Sequence, residues 1–409
     1  MSRKFNETKV PAVATDRVQL VKDFLTEHYE IKINVFDPGK RFILSKNKSM
    51  YKNEIEIDDI SLHMESEGIR GCDTILKKII NSRNQVNTFN PIMDYLKSLE
   101  GAWKGESHID RFCTFITARD FGDKTENHYQ ERFKYIFKKW LAATVSCALG
   151  ESANDAMIGF VHADEGIGKT FALDFLVPKE LKAYAVKSDK DERIFNITTA
   201  FTRNFIINFD EFVAITKNTA EATKKILSCT EVNINTTFTQ TIPRIGSGVF
   251  TSNKTKEMGG FLTPSMGYRR FATVELEKII HGYSKTVDVR QLWAEAYFLY
   301  KNPKFNHIWD MADFEEFKDY NAKYLIETPA LQLIKEYYRM PEEGEECLWK
   351  QPIEILQDLR KAKKITGGMT NVSDVSLGMA LRGMGFERKS KKINKLSTRY
   401  GYNVIQLFE

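Results

Sequence analysis

The first clear pattern of apolar positions is helical, over residues 18–25, with Asp16 placed to cap it. Residues 29–36 alternate apolar and polar and predict a strand. Asp37-Pro38-Gly39 then turns the chain toward residues 41–44, which predict a second strand. Helical spacing returns at 57–67 and 74–81. Residues 1–88 therefore read as a small α+β region whose sequence shows no chemistry; its first dozen residues carry no pattern. Asn90-Pro91 marks a boundary, because the residue before proline disfavours helix. Residues 89–150 read as a helical segment rich in aromatics, among them Phe112, Phe133, Phe137 and Trp140, which helical spacing assigns to a packed core. From Met157 short β-rich runs (157–161, 205–209, 248–252) alternate with helical stretches, the pattern of an α/β domain with a largely buried sheet over 151–327. Helices are expected at 289–300 and 312–324. After Thr328-Pro329 the last stretch, 328–409, reads as a separate small fold, with helices at 352–363 and 374–384 and then a β-hairpin.

Composition fits this picture of several ordinary folded regions. Hydrophobic residues are 42% and charged residues 28% of 409, which argues against disorder along most of the chain. No run of about 18 apolar residues is present, so no membrane helix is expected. The five cysteines lie far apart without metal-ligand spacing and suit reduced thiols in a cytoplasm. Net charge is only +5, but it is unevenly placed. Between Arg382 and Arg399 seven basic residues stand against Glu387, a local charge of +6 that leaves the other 391 residues at −1. That asymmetry points to a small anion-binding module on a nearly neutral body.

One motif carries chemistry by itself. Ala163-Asp164-Glu165-Gly166-Ile167-Gly168-Lys169-Thr170 fits the phosphate-loop pattern, follows the apolar run 157–161 and precedes an apolar helix beginning at Phe171. Glycines let backbone N–H groups curl around an anion. Lys169 would reach the β- and γ-phosphates of ATP, and the Thr170 hydroxyl would hold Mg²⁺. The plainer reading is a glycine-rich turn with an incidental lysine. About 40 residues on, the run 205–209 ends in Asp210-Glu211. Asp210 would join the Mg²⁺ shell and Glu211 would polarise the attacking water; alone, such a pair also fits a solvated strand end. Next, the run ending in Thr251-Ser252-Asn253 offers an amide for the γ-phosphate and the water, or a turn cap. Arg269-Arg270 then supplies forked cations for transition-state oxygens, or surface ion pairs.

With these elements in order, residues 90–277 resemble the virulence-associated protein E family, P-loop ATPases of phages, plasmids and integrated islands similar to superfamily 3 helicases. Asn90-Pro91, Tyr95-Leu96 and Trp103-Lys104-Gly105 match its lead-in segment; Lys224-Lys225-Ile226-Leu227-Ser228 and Pro243-Arg244 lie between acid pair and sensor; Asn253 matches the sensor, and Gly267 to Phe271 the arginine motif. The resemblance implies an AAA+-type P-loop NTPase core with a small winged-helix-like C-terminal domain. It implies ATP and Mg²⁺, a DNA partner, and a homo-oligomeric, hexameric ring in which Arg269 or Arg270 completes a neighbour's site. It also implies a hairpin within 229–244, with Lys224, Lys225 and Arg244 as DNA or intersubunit contacts; a solvated basic face is the plainer reading. Two departures stand out. Ala163 replaces the first loop glycine, and residues 233–240 lack the basic and Pro-Tyr residues of relatives. Only about 90 residues precede the ATPase, so any priming is expected from a separate primase. In the tail, a wing bearing Arg388, Lys389, Lys391, Lys392 and Lys395 would sit on phosphate without reading sequence. The leading expectation is a DNA-associated ATPase motor, a helicase or origin remodeller. The alternative is a nucleotide-switched DNA-binding regulator that does not unwind; a kinase-like phosphotransferase is disfavoured by the acid pair and Asn253.

Overall fold

The computed structural model describes residues 16–37, 41–46, 55–82, 84–188, 196–212, 217–235, 239–263, 266–326, 328–342, 344–365, 372–394 and 397–408. Two compact units divide between Asp94 and Tyr95.

In the first unit the Asp16 side chain accepts from the Val18 N–H at 2.9 Å and caps a helix, Arg17–His28. Strands β1 (Tyr29–Asn34), β2 (Arg41–Ser45) and β3 (Asn87–Phe89) form one sheet in the order β2-β1-β3. Helices Ile57–Ser66 and Asp73–Asn81 complete it, and Val21, Phe24, Ile60, Leu76 and Ile80 fill its core.

The second unit is organised by a six-stranded sheet. Its strands are β4 (Ile116–Ala118), β5 (Met157–Val161), β6 (Ala185–Ser188), β7 (Ile206–Phe209), β10 (Ser247–Ser252) and β11 (Phe271–Ile279). A two-stranded hairpin, β8 (Glu231–Asn235) and β9 (Thr239–Pro243), is inserted between β7 and β10. The sheet order is β4-β11-β5-β10-β7-β6. All pairings are parallel except that of β4 at the edge. Strands β5, β7 and β10 are buried at every position, as the central strands of a sheet covered on both faces must be. Because they run in parallel, their carboxyl ends meet at one edge, and the loops after them are brought together.

Behind the sheet lies the 21-residue helix His128–Ala148, about 31 Å long by helical rise. It is buried continuously from Lys139 to Ala148, so its C-terminal half is a core helix rather than a surface one. Lys139 enters that core because its ammonium meets Asp313 at 2.6 Å.

Strand β11 has no counterpart among the expected strands, although it lies beside β5. Glu275 interrupts its apolar run yet is 1% exposed. Its carboxylate is paired with Arg119 and accepts from the Tyr324 hydroxyl at 2.7 Å. Edge strand β6, half exposed and only four residues long, has no counterpart among the expected strands either.

At the C-terminal end of this unit, helices Pro329–Tyr337, Pro352–Lys361 and Asp374–Gly383 pack on strands β12 (Tyr338–Arg339), β13 (Leu348–Lys350), β14 (Arg388–Asn394) and β15 (Ser397–Gln406). The path is β12-β15-β13, with β14 hydrogen-bonded to β15 as an antiparallel ribbon. Leu333, Ile334, Ile355, Leu359, Leu377, Leu381 and Val404 form a core of their own.

Candidate functional site

The loop after β5 carries the sequence motif onto the carboxyl edge of the sheet. Gly166 and Gly168 take φ of +77° and +98°, backbone that side chains with a Cβ rarely adopt. A Cβ on Gly166 would meet nothing within 4 Å, whereas one on Gly168 would lie 3.0 Å from the His281 ring. The loop surface formed by Ala163 to Gly166 is exposed, and Ile167 is half-buried. A helix, Lys169–Phe175, follows at once, with the Phe171 ring 61% exposed on it.

Lys169 is buried, 6% exposed, and its ammonium donates to the carbonyls of His162 at 3.1 Å and Asp164 at 2.7 Å. Burial pushes this ammonium below the ordinary lysine value, while the carboxylates of Glu165, Asp164, Asp210 and Glu211 pull the other way. A buried cation whose acceptors are neutral carbonyls has charge left for an anion.

Asp210 stands just past β7. Its Oδ1 accepts from the Thr170 hydroxyl at 2.7 Å and from the Thr251 hydroxyl at 2.8 Å. Burial raises the Asp210 pKa, but these two hydrogen bonds, with Lys187 and the Glu211 backbone, outweigh it and hold the carboxyl below its usual value. Glu211 is an exposed residue at φ +49°, a left-handed conformation uncommon for a residue with a Cβ. Its N–H donates to Thr251 Oγ1 at 3.0 Å, which fixes the turn. Non-glycine residues held this way concentrate at functional sites. Asn253, two residues beyond Thr251, donates to Glu165 Oε1 at 3.4 Å and so faces the loop. The structure thus brings Lys169, Thr170, Asp210, Glu211 and Asn253 to one edge of the sheet.

Thr251 was not among the sequence candidates, although it is 2% exposed and joins Asp210 to Glu211. The polar cluster ending β10 is its only signal in the sequence. His281, on the loop after β11, has no local signal either, because only the placement of β11 beside β5 brings it to Gly168.

The arginines separate. Arg269 is exposed, its guanidinium 5.7 Å from the Phe314 ring. Arg270 has an 11% exposed side chain, paired with Asp155 at 3.5 Å; burial lowers its pKa against that carboxylate. Lys224 and Lys225 are exposed on the helix Lys217–Leu227. A Cβ on Gly267 would lie 3.4 Å from the Lys224 side chain, so this lysine borders the arginine turn. Arg244 is a correction. It is 1% exposed, donates to the Asn154 carbonyl at 3.0 Å and stacks 5.2 Å from Phe201, so it serves the core and not a DNA surface. The β8–β9 hairpin falls within 229–244, and residues 231–243 contain no lysine or arginine. Arg388, Lys389, Lys391 and Lys392 are exposed along β14; Lys395 lies outside the described residues.

Among the described residues no three His, Cys, Asp or Glu side chains cluster as a metal site, and no helix is long and apolar enough to cross a membrane.

What emerges is a mixed α/β protein with its candidate site on the carboxyl edge of a parallel sheet. The chain belongs to the Virulence-associated protein E-like domain family, whose profile matches residues 96–324. A second profile, described as a domain of unknown function from B. Theta, matches residues 327–396. In structure the chain is similar to the apo C-terminal region of NrS-1, at 13% identity and a TM-score of 0.45, covering 96% of this chain and 99% of that one. It is also similar to JCV helicase, at 10% identity and a TM-score of 0.30, covering 64% and 77%. No curated protein matches the chain in sequence.

Proposed function

We propose that the protein is a P-loop ATPase of the AAA+ type that works on DNA as a motor, with its C-terminal region acting as a winged-helix-like anchor. The observation that carries this reading is the buried Lys169 ammonium, with neutral acceptors only, one residue from a threonine hydroxyl 2.7 Å from a strand-end carboxylate. A lysine, a hydroxyl and an acid so placed are what a nucleotide triphosphate with its divalent cation requires. The open space at Gly166 leaves room for phosphate oxygens against the loop.

The residues also fit Mg²⁺. Thr170 and Asp210 would hold it through hard oxygen atoms, the rest of the shell being water and phosphate. When bound, the ion would neutralise charge on the phosphate oxygens. Lys169 would exchange its two carbonyl acceptors for the β- and γ-phosphates. Glu211 would take the proton of the attacking water as its oxygen bonds to the γ-phosphorus and the bond to the β-phosphate oxygen breaks. Asn253, now resting on Glu165, would orient that water. Arg269, exposed and free of a buried partner carboxylate, is the arginine of the pair suited to reach a neighbouring subunit's nucleotide. A hexameric ring would supply that neighbour, and a separate primase any primers. The exposed cations of β14 support DNA as partner.

ATP hydrolysis by the full chain, with and without DNA, tests the reading. Wild type should turn over ATP and Lys169→Ala should not, with unchanged circular dichroism. Turnover retained in Lys169→Ala would mean that the loop is not the nucleotide site. The alternative, a nucleotide-switched regulator, predicts ATPase activity and duplex binding without separation of a forked duplex.

A further inference from the structure

A cleft of about 300 Å³ lies between the β14–β15 ribbon and the N-terminal ends of the helices Pro352–Lys361 and Asp374–Gly383. Ile353 and Val375, 42% and 56% exposed, give it an apolar wall. Tyr400 stands over it, 52% exposed, with the Arg388 guanidinium 4.2 Å from its ring centroid. Arg382 and Asp374 lie at its rim.

The charge around the cleft selects a polyanion. Alternation along β14 places Arg388 and Lys392 on one side of the ribbon and Lys389 and Lys391 on the other, with Arg399 paired opposite Lys391. Both sides are therefore basic. The helix Asp374–Gly383, by contrast, is poorly equipped to read a major groove. Reading base edges takes Arg, Asn, Gln or similar side chains. This helix shows outward Val375 and one cation, Arg382, while Gly378 is buried where its Cβ would lie 3.3 Å from Pro352. Aromatic faces and guanidinium planes are instead what bind unstacked bases. A cleft this size suits one nucleoside and is too small for a duplex.

We propose that this cleft receives one unstacked base of single-stranded DNA, laid on the Tyr400–Arg388 pair, while the ribbon's lysines hold the flanking phosphates. The C-terminal region then prefers a single strand or a junction to an intact duplex. This rests on the reading of DNA as partner but not on ATP hydrolysis, so it is measurable without nucleotide.

The experiment is binding of the full chain to a single-stranded oligonucleotide and to a duplex of equal length, followed by anisotropy, with 2-aminopurine in the single strand to report stacking. Wild type should favour the single strand and change the 2-aminopurine fluorescence. Tyr400→Ala should weaken single-strand binding about tenfold, lose the fluorescence change and leave duplex binding as it was. Tyr400→Phe should restore both, which separates stacking from misfolding. Lys389→Glu with Lys391→Glu should weaken both DNAs and flatten the salt dependence. If Tyr400→Ala binds single strand like wild type, or loses duplex equally, the cleft is not a base site although DNA is still the partner. If wild type binds neither DNA, the cleft proposal and the DNA reading both fall, and the ATPase reading stands on its own assay.

Discussion

Thr251 holds the acidic end of β7 in place with one hydroxyl, donating to Asp210 and accepting from the Glu211 N–H. Thr251→Val keeps the shape and removes both bonds at a position only 2% exposed. Such losses cost about 1–3 kcal/mol, so the urea midpoint should fall. The pH consequence has a definite sign. Thr251 is one of the groups that hold Asp210 below its usual value against burial. Stability from a depressed carboxyl is present above its unfolded pKa and is lost as pH falls through the folded value. In Thr251→Val the Asp210 pKa moves up, so the acid limb of the ATPase profile should shift to higher pH. A limb that stays put would detach Asp210 from turnover. Lys323 follows the same sign in a more alkaline window. Its ammonium sits 3.5 Å from the Phe121 ring and 4.1 Å from Tyr320, and burial brings its pKa from 10.5 down to about 8, against the Asp123 carboxylate. Between those values the unfolded chain binds a proton that the folded one lacks, so stability rises with pH through that window. Lys323→Met lacks this contribution. Urea midpoints taken from pH 7 to 11 should show wild type gaining on the variant; parallel curves would show that Lys323 titrates normally.

At the scale of elements, β5 and β10 are locked by a glycine. A Cβ on Gly159 would lie 2.1 Å from the Phe250 ring, so the ring packs directly on the β5 backbone. Gly159→Ala should destabilise the protein by about 1–3 kcal/mol through overpacking. Adding Phe250→Leu should recover part of that loss, since neighbours in contact are not additive; two independent losses would place the ring elsewhere. The same strands show what the sequence could tell. β5 was legible to the residue, and β7 and β10 to within one, because strands buried on both faces are written as continuous apolar runs. β11 was not, because Thr273, Glu275, Glu277 and Lys278 break its run, and the group that makes Glu275 tolerable, Arg119, is 156 residues away. The candidate site divides along the same line. The Gly166–Thr170 loop and the Asp210-Glu211 pair are local patterns. The Thr251 hydroxyl, the approach of His281 to Gly168 and the burial of Arg244 depend on which strands are neighbours, and no local spacing records that.

For the whole molecule, charge and exposure divide the arginines between roles. The β8–β9 hairpin has no lysine or arginine, whereas +6 is gathered in 18 residues near the far end of the chain, which is where the proposed DNA contact is assigned. Of the adjacent pair ahead of β11 only Arg269 is exposed; Arg270 is held by Asp155, whose carboxyl burial raises against that guanidinium. Arg270→Ala should therefore lower stability, by leaving Asp155 without its partner, whereas Arg269→Ala should lower turnover at unchanged stability. If the site is shared between subunits of a ring, the two halves can be supplied by different chains. Lys169→Ala subunits lack the nucleotide side and Arg269→Ala subunits lack the arginine, so each alone should be nearly inactive. Mixed in equal amounts in a head-to-tail ring, roughly a quarter of the interfaces join an intact Lys169 to an intact Arg269. ATPase activity should reappear on mixing and scale with that fraction. Two inactive preparations that stay inactive, while co-purifying as one oligomer, would show that Arg269 does not act across the interface.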